Sequence, residues 1–472
     1  MSFATPEFWA FFLIVFLIYV LLKHRQQNLF LLAASYFFYA WWDWRFISLL
    51  FISSTTDYLC GLAIDRNNEP RIKKRYLKLG LSINLIILLF FKSFNFFISS
   101  LNHVLSFFGL SAHSLHLQVI LPLGISFYTF QTMGYLIDVY RGSDKPVRRF
   151  TDYLLYVSFF PQLIAGPIER AKHLYHQIEN QRIISWSNIK VGVYLIYWGL
   201  FKKLFIANNC AVLAEKLLSD PAGSSGAGVL VSLYAFAFQI YCDIAGYTDI
   251  ARGTAKMMGF DLTINFRWPY FSRDISDFWR RWHMSMTYWF RDYVFFPVLA
   301  NAKGNAYLAS FVTLLCISLW HSIALSSVFR GVYFGIAVVI FHLYKNHRAL
   351  SGPSTAPKWV RVMTGFASWF ATFHIVCLGW MFFYPISIKH ALTLLAKIFS
   401  DFQFGVLITN LRILFVYIFV LVLVEIWQAI KKDEFVLLKT NALFKVVFYW
   451  LTFWLFLGAG SSANLPFIYF GI

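Results

Sequence analysis

The sequence predicts an all-α protein that crosses a membrane many times. Hydrophobic residues make up 59% of its 472 positions and charged residues only 13%. Several apolar runs approach the roughly 20 residues that a helix needs to cross a bilayer, whereas a β-barrel would show short alternating segments. No soluble-sized segment separates these runs. We therefore predict one integrated domain over 1–472, a helical bundle of about 10–12 crossings with re-entrant and interfacial helices.

The net charge of +19 does not indicate nucleic-acid binding, and the positions of the basic residues instead indicate the membrane topology. The basic residues lie in short loops between apolar runs and form no continuous soluble face. Residues 65–78 hold six basic and two acidic residues, and Lys23 and Arg25 follow the first run. An excess of basic residues marks the cytoplasmic side. Both termini are then predicted to lie outside.

Apolar runs place the crossings in order along the chain. The first half has runs near 5–22, 28–42, 46–64, 79–96, 118–140 and 189–218, with an outer interfacial segment at 97–117. Pro161, Gly166 and Pro167 interrupt a further apolar stretch, which suits backbone that lines a protein cavity. A polar linker at 219–228 precedes a run at 229–250, and later runs lie near 363–384, 410–428 and 446–470.

Residues 275–293 show apolar and aromatic side chains at spacings of three and four. This period predicts one helix with a single apolar face, lying at the interface or partly inserted. Arginines occupy the rest of its circumference. A membrane-surface anchor without chemistry is the alternative interpretation.

His321 is the strongest functional candidate, because it lies inside the apolar stretch 306–344. As one helix that stretch would measure nearly 60 Å at about 1.5 Å per residue, about twice the hydrocarbon thickness. We therefore expect a hairpin that turns near Ser326, Ser327, Arg330 and Gly331. Ionisable side chains at membrane depth usually face a cavity or a partner. The alternative is a neutral histidine that bonds to a neighbouring helix.

Several motifs give the chain a family resemblance. It carries Asp-Phe-Trp-Arg-Arg-Trp-His at 277–283, Leu-Trp-His at 319–321, Tyr-Cys-Asp-Ile-Ala-Gly-Tyr-Thr-Asp at 241–249 and Asn-Phe-Arg-Trp-Pro-Tyr at 265–270, after further blocks at 121–131, 138–142 and 160–170. In this order the motifs resemble the membrane-bound O-acyltransferases. Within that family they are similar to the bacterial branch that acetylates alginate and D-alanylates teichoic acid.

The resemblance implies transfer of an acyl group from a thioester to a hydroxyl, with His321 as the catalytic residue. A neutral imidazole in a cavity can take the hydroxyl proton as the oxygen attacks, and burial disfavours the imidazolium. His283 matches a second histidine, which would polarise the acyl carbonyl, position the acceptor or hold its helix. Residues expected to contact donor or substrate are Trp279, Arg280, Arg281, Trp282, Trp320, Asn265, Arg267, Asp243 and Tyr247.

These binding roles have structural alternatives. Arginines that suit a phosphate-bearing donor also suit anionic lipid headgroups. For Asp243, with Asp249, a structural role in buried hydrogen bonding is the first interpretation, and shaping of the acceptor site is the second. The chain also departs from the family pattern, because Ser322 replaces a glycine and Phe334 replaces a downstream histidine. These two departures concern the geometry of the acceptor side of the predicted site and the identity of its partner.

No permanently bound cofactor and no metal are expected, and the five cysteines have no ligand-like spacing. Acetyl-coenzyme A or an acylated carrier protein would be the donor. The resemblance implies membrane lipids, a polysaccharide acceptor and an extracytoplasmic acetyl-accepting protein as partners, in a bacterial cytoplasmic (inner) membrane. D-alanyl transfer and a glycan or lipid transporter are the alternative functions, although no internal repeat typical of transporters is found.

Overall fold

The structure is a computed structural model that describes residues 1–107, 120–218, 223–350, 357–384, 387–460 and 467–468. Its regular elements over these ranges are all helical. The predicted all-α, polytopic fold is therefore confirmed. Parts of the predicted interfacial segment (108–117) and of the polar linker (219–222) lie outside the described residues.

The described residues of the first half of the chain form ten α-helices. They are α1 (Pro6–Leu21), α2 (His24–Asp43), α3 (Ile47–Arg66), α4 (Pro70–Phe107), α5 (Ile125–Arg141), α6 (Phe150–Ser158), α7 (Phe160–Leu163), α8 (Ala171–Glu179), α9 (Trp186–Leu200) and α10 (Asn208–Leu218). A 3₁₀ turn (Trp44–Phe46) joins α2 to α3, and a π-helical segment (Phe201–Ala207) joins α9 to α10.

Ten more α-helices lie in the part of the second half that the structure describes. They are α11 (Gly226–Met257), α12 (Ile275–Arg281), α13 (Met284–Phe290), α14 (Phe296–Asn301), α15 (Ala306–His321), α16 (Leu325–Leu350), α17 (Lys358–Trp380), α18 (Ile388–Ser400), α19 (Phe404–Lys431) and α20 (Ala442–Ala459). A 3₁₀ turn (Pro269–Phe271) precedes α12, and a π-helical segment (Arg291–Phe295) follows α13.

Six stretches among the described residues are long and apolar enough to cross a membrane. They are His24–Arg66, Pro70–Asn102, Gly226–Met257, Leu325–His347, Lys358–Trp380 and Phe404–Lys431, and shorter apolar helices cover Pro6–Leu21, Ala306–His321 and Ala442–Gly458. The chain is thus a multi-pass membrane protein. The count of about 10–12 crossings stays a prediction.

The described chain groups into two compact units, residues 1–196 with 250–263, and residues 197–249 with 264–472. In the first unit, α3, α4 and α5 share buried polar contacts. Asn84 donates to both carboxylate oxygens of Asp57 at 2.8 and 2.9 Å. The hydroxyls of Ser53 and Thr132 donate to the Asn84 carbonyl oxygen. These bonds satisfy a carboxylate that is fully buried.

In the second unit, charged pairs fix the π-helical segment to α11. Lys202 contacts Asp249 at 2.8 Å and Lys203 contacts Asp243 at 2.6 Å, and all four side chains are largely buried. Tyr241, also on α11, donates to Glu425 on α19 at 2.5 Å. The extra residue of a π-bulge changes the direction of side chains, and here both lysines reach α11.

Two predicted elements differ from the structure. The hairpin is present, but the chain breaks at Ser322, in extended conformation, so Ser326, Ser327, Arg330 and Gly331 lie inside α16. The predicted single helix over 275–293 is interrupted at Trp282 and His283. Both breaks depend on hydrogen bonds to distant residues, which are described with the site.

Candidate active site

The site is built on the hairpin of α15 and α16. The Ser318 hydroxyl on α15 donates to the Ser327 carbonyl on α16 at 2.6 Å. Arg330 Nε donates to Ser318 Oγ and its Nη2 to the Ser318 carbonyl oxygen, both at 2.9 Å. The Arg330 guanidinium thus donates to one of the backbone carbonyls at the end of α15, which have no hydrogen-bond partner within the helix. These bonds require Arg330 to lie within α16, which explains why the turn comes earlier than predicted.

His321 is the last residue of α15 and lines a narrow cleft whose volume accessible to water is about 10 Å³. Its side chain is mostly buried, with 8% of its surface exposed. The ring lies 4.6 Å from the Trp320 ring and 5.2 Å from the Phe383 ring, between centroids. The other lining residues are Trp279, Trp282, Leu314, Ile317, Ser318, Arg330, Phe334 and Trp380.

Asn265 creates the interruption that directs two tryptophans to this cleft. Its carbonyl accepts from Met284 N at 2.8 Å, and its side-chain oxygen accepts from Ser285 N and Oγ at 3.1 and 3.0 Å. These bonds satisfy the open N–H groups of α13. His283 takes a left-handed conformation, with φ of 40°, immediately before α13. The α12 segment then presents Trp279 and Trp282 to the cleft.

His283 is fully buried and lies one ring away from His321. Its centroid is 6.4 Å from that of Trp320, the ring that also contacts His321. A second aromatic neighbour is Phe266, at 5.9 Å. Burial lowers the pKa of His283 to about 4. His283 is therefore neutral near pH 7 and contacts the catalytic candidate through Trp320.

The predicted donor-binding arginines lie around the α12 segment. Arg281 contacts Asp277 at 2.9 Å and Arg280 contacts the same carboxylate at 3.6 Å. The backbone N–H of Arg267 donates to the Arg281 carbonyl at 3.0 Å. Arg267 and Arg280 are exposed. Sharing one carboxylate leaves Arg280 and Arg281 with a net positive charge, and their role toward a donor stays a prediction.

Asp243 and Tyr247 have other described neighbours. Asp243 pairs with Lys203 and accepts from the backbone N–H of Ile468 at 2.7 Å. The Tyr247 ring contacts the Phe467 ring, with centroids 4.2 Å apart. These contacts link α11 to the π-helical segment and to residues 467–468. They agree with the structural interpretation of Asp243, and a binding role for either residue stays a prediction.

Arg330 and Trp380 are cleft residues that the sequence reasoning did not assign to the site. Arg330 is buried, and its guanidinium carbon lies 4.4 Å from the centroid of the Phe383 ring. Arg330 is a charged residue inside the apolar stretch 306–344. Like His321, it is therefore an ionisable side chain at membrane depth, and such side chains usually face a cavity or a partner. Trp380 ends the apolar helix α17 and carries no comparable sequence signal.

Phe334 occupies the position where the family pattern has a histidine, and it lines the same cleft. Its ring lies 5.2 Å from Trp279 and 5.6 Å from Trp380. The cleft therefore carries an apolar ring at this point. Among the described residues no group of three or more His, Cys, Asp and Glu side chains could hold a metal ion.

The fold and the cleft define a class: a multi-pass helical membrane protein in which aromatic rings and an arginine surround a histidine. Comparison with known proteins identifies that class. Residues 145–384 match the membrane-bound O-acyltransferase (MBOAT) family. The chain belongs to this family and is an acyltransferase, as the motifs predicted.

Three relatives illustrate the range of acceptors in the family. A protein described as a probable alginate O-acetylase, from Pseudomonas putida, is 37% identical, covering 85% of this chain and 80% of the relative. A peptidoglycan O-acetyltransferase of Helicobacter pylori is 32% identical over 83% of this chain and 79% of the relative. A teichoic acid D-alanyltransferase of Bacillus subtilis is 26% identical over 55% of this chain and 68% of the relative.

Proposed function

We propose that the protein takes an acetyl group from a cytoplasmic thioester donor and passes it across the membrane for O-acetylation of an exported or cell-wall polysaccharide. In this proposal His321 is the catalytic base. The observation that carries this proposal is the position of His321 in a cleft shared with Arg330 and three large aromatic side chains, Trp279, Trp282 and Trp380. The relatives described as O-acetylating enzymes support acetyl as the group transferred.

The chemistry follows from a neutral imidazole beside a bound hydroxyl. A ring nitrogen of His321 takes the hydroxyl proton while the hydroxyl oxygen forms a bond to the thioester carbonyl carbon. The carbon–sulfur bond then breaks, the ester carbonyl re-forms, and the imidazolium returns the proton to the leaving thiolate. The positive charge of Arg330 at the same cleft would stabilise the oxyanion formed in between.

The neighbouring residues would position the reactants. Trp279 and Trp282 offer flat apolar walls for the acyl end of the donor. Arg267, Arg280 and Arg281 would attract the phosphates of acetyl-coenzyme A or of a carrier-bound arm. His283, neutral and packed on Trp320, would hold the Trp320 ring against His321. In this proposal His283 is a positioning residue.

The location and partners follow from the same proposal. The chain would lie in a bacterial cytoplasmic membrane with both termini outside, where an extracytoplasmic protein receives the acetyl group. D-alanyl transfer is the second candidate, because D-alanyltransferases are among the relatives. Acetyl transfer is preferred, since the O-acetylating relatives match more of the chain.

Purified protein in lipid nanodiscs, supplied with acetyl-coenzyme A, a polysaccharide fragment and an extracytoplasmic extract that contains the acetyl-accepting protein, tests the proposal by release of free thiol. We expect acceptor-dependent thiol release by the wild type, loss of it in His321→Ala, and wild-type release in His176→Ala, an exposed histidine on α8. A non-hydrolysable coenzyme A analogue should compete if coenzyme A is the direct donor. Thiol release by His321→Ala at the wild-type rate would contradict the proposed base.

A further inference from the structure

Away from the cleft, an open groove is lined by three cations. The groove has a volume of about 410 Å³, opens to solvent, and is lined by Arg273, Lys358, Arg361 and Val362. The three basic side chains are exposed. None of them forms an ion pair with a carboxylate in the part of the chain that the structure describes. The groove therefore presents concentrated positive charge.

The groove is held by the junction between α17 and the segment before α12. The guanidinium of Arg273 lies against α17, where a Cβ on Gly365 would be 3.5 Å from its Nη1. Gly365 follows Arg361 by four residues, so both lie on one face of α17. One turn further, Trp369 Nε1 donates to the Tyr270 carbonyl at 2.8 Å. This bond keeps Arg273 beside Arg361.

The acidic neighbour of Arg273 is engaged elsewhere. The carboxylate of Asp274 accepts from the backbone N–H of Asp277 at 2.7 Å and caps the first turn of α12. A carboxylate at a helix N-terminus is stabilised by the open N–H groups there. The Asp274 charge is therefore directed to α12, while the three cations face the groove.

An exposed apolar stripe continues from the groove along α17. Val362 lines the groove, and Met363, Phe366 and Phe370 follow it at helical spacing, each at least half exposed. α17 is one of the helices suited to cross the membrane. Trp359 in its first turn is 65% exposed, as is typical of side chains at a membrane interface. The cations then lie at the headgroup level, and the stripe faces hydrocarbon.

We propose that Arg273, Lys358 and Arg361 bind the phosphate of an anionic phospholipid, whose acyl chains lie along the stripe of α17. Guanidinium groups match phosphate oxygens in geometry as well as charge. Basic pockets at helix ends in the headgroup region are suited to acidic lipid headgroups. The stripe favours a lipid over a soluble phosphate ester. A lipid would contact the three cations through its phosphate and the stripe through its acyl chains, whereas a soluble ester would contact only the cations. This site does not depend on the proposed acetyl transfer.

Lipid titration of the purified full-length protein tests this site. Binding of phosphatidylglycerol and of phosphatidylcholine is measured by native mass spectrometry for the wild type, Arg273→Gln/Arg361→Gln and Arg71→Gln/Arg75→Gln. Arg71 and Arg75 are exposed arginines near the start of α4, outside the groove, and their double variant serves as the charge-matched control. We expect Arg273→Gln/Arg361→Gln to bind phosphatidylglycerol about tenfold more weakly or worse, with phosphatidylcholine binding and the control unchanged.

Two outcomes would overturn the proposal. One is phosphatidylglycerol binding by Arg273→Gln/Arg361→Gln within twofold of the wild type. The other is displacement of the lipid by equal concentrations of glycerol phosphate or coenzyme A, which would assign the groove to soluble phosphate esters. If Arg273→Gln/Arg361→Gln fails to purify as a folded species, Lys358→Gln at the exposed start of α17 replaces it, with the same comparison.

Discussion

The position of His321 at the end of a helix matters for its proposed chemistry. The last carbonyls of a helix carry partial negative charge, which stabilises a cation close to them. An imidazolium that forms for a moment at His321 would benefit from this field. Arg330 bonds to the Ser318 carbonyl one turn earlier and keeps a positive charge close by. The helix end thus stabilises a transient imidazolium, whereas the charge of Arg330 opposes it.

His283 supplies a pH prediction at the residue scale. Burial lowers the pKa of His283 to about 4, so its protonation lies below the pH range of a usual assay. We expect His283→Gln to be slower than the wild type but to show the same acidic limb in a profile of kcat/KM between pH 5 and 8. An acidic limb near pH 6 that disappears in the variant would contradict this positioning role.

A second residue-scale prediction concerns the packing behind the cleft. A Cβ on Gly379 would overlap with the ring of Phe334, which would have to move. We expect Gly379→Ala to destabilise the protein by about 1–3 kcal/mol and to slow transfer. The double variant Gly379→Ala/Phe334→Leu should regain part of both losses. Gly405→Ala, where no atom lies within 4 Å of the new Cβ, is the matched control. Equal behaviour of the two alanine variants would contradict the packing argument.

At the scale of elements, the α15–α16 hairpin depends on one guanidinium. Arg330 donates to Ser318 Oγ, the Ser318 carbonyl and Ser327 Oγ. Removing it leaves buried acceptors without their donor, so Arg330→Met should lower the free energy of unfolding by about 3 kcal/mol or more. Arg330→Lys should also lose stability, because an ammonium lacks the planar fork.

Unfolding of the purified variants in mild detergent measures this effect. Arg412→Met, an exposed arginine on α19, is the control for loss of charge. An Arg330→Lys protein as stable and as active as the wild type would show that charge alone is needed. In that case the fixed geometry between Ser318 and Ser327 would not be the basis of the hairpin.

The two misplaced breaks show where sequence reasoning stops at the element scale. The length of the 306–344 stretch predicted a hairpin correctly, because length is a local property. The serines and glycine near 326–331 suggested the turn, but Ser318 and Arg330 pair only if that segment is already helical. The aromatic period of 275–293 suggested one helix. The bonds from Met284 and Ser285 to Asn265 interrupt it, and the period of the segment does not encode them.

At the scale of the whole molecule, apolar composition predicted the all-α membrane fold, and the ordered motifs predicted the family. His321, Trp279 and Trp282 line one cleft, and their catalytic and binding roles stay predictions. The Asp243 contacts with Lys203 and Ile468 join residues 40 and 225 positions apart. The sequence favoured a structural role for Asp243 over a binding role, but periodicity does not identify long-range partners such as Lys203 and Ile468.

The most direct measurement of the central claim is the acetyl content of exported glycans from cells that lack this protein. The cells are complemented with the wild type, His321→Ala or His176→Ala at matched abundance in the membrane. We predict that the wild type and His176→Ala restore acetylation and that His321→Ala does not. Full restoration by His321→Ala would contradict the assignment of His321 as the base for acetyl transfer.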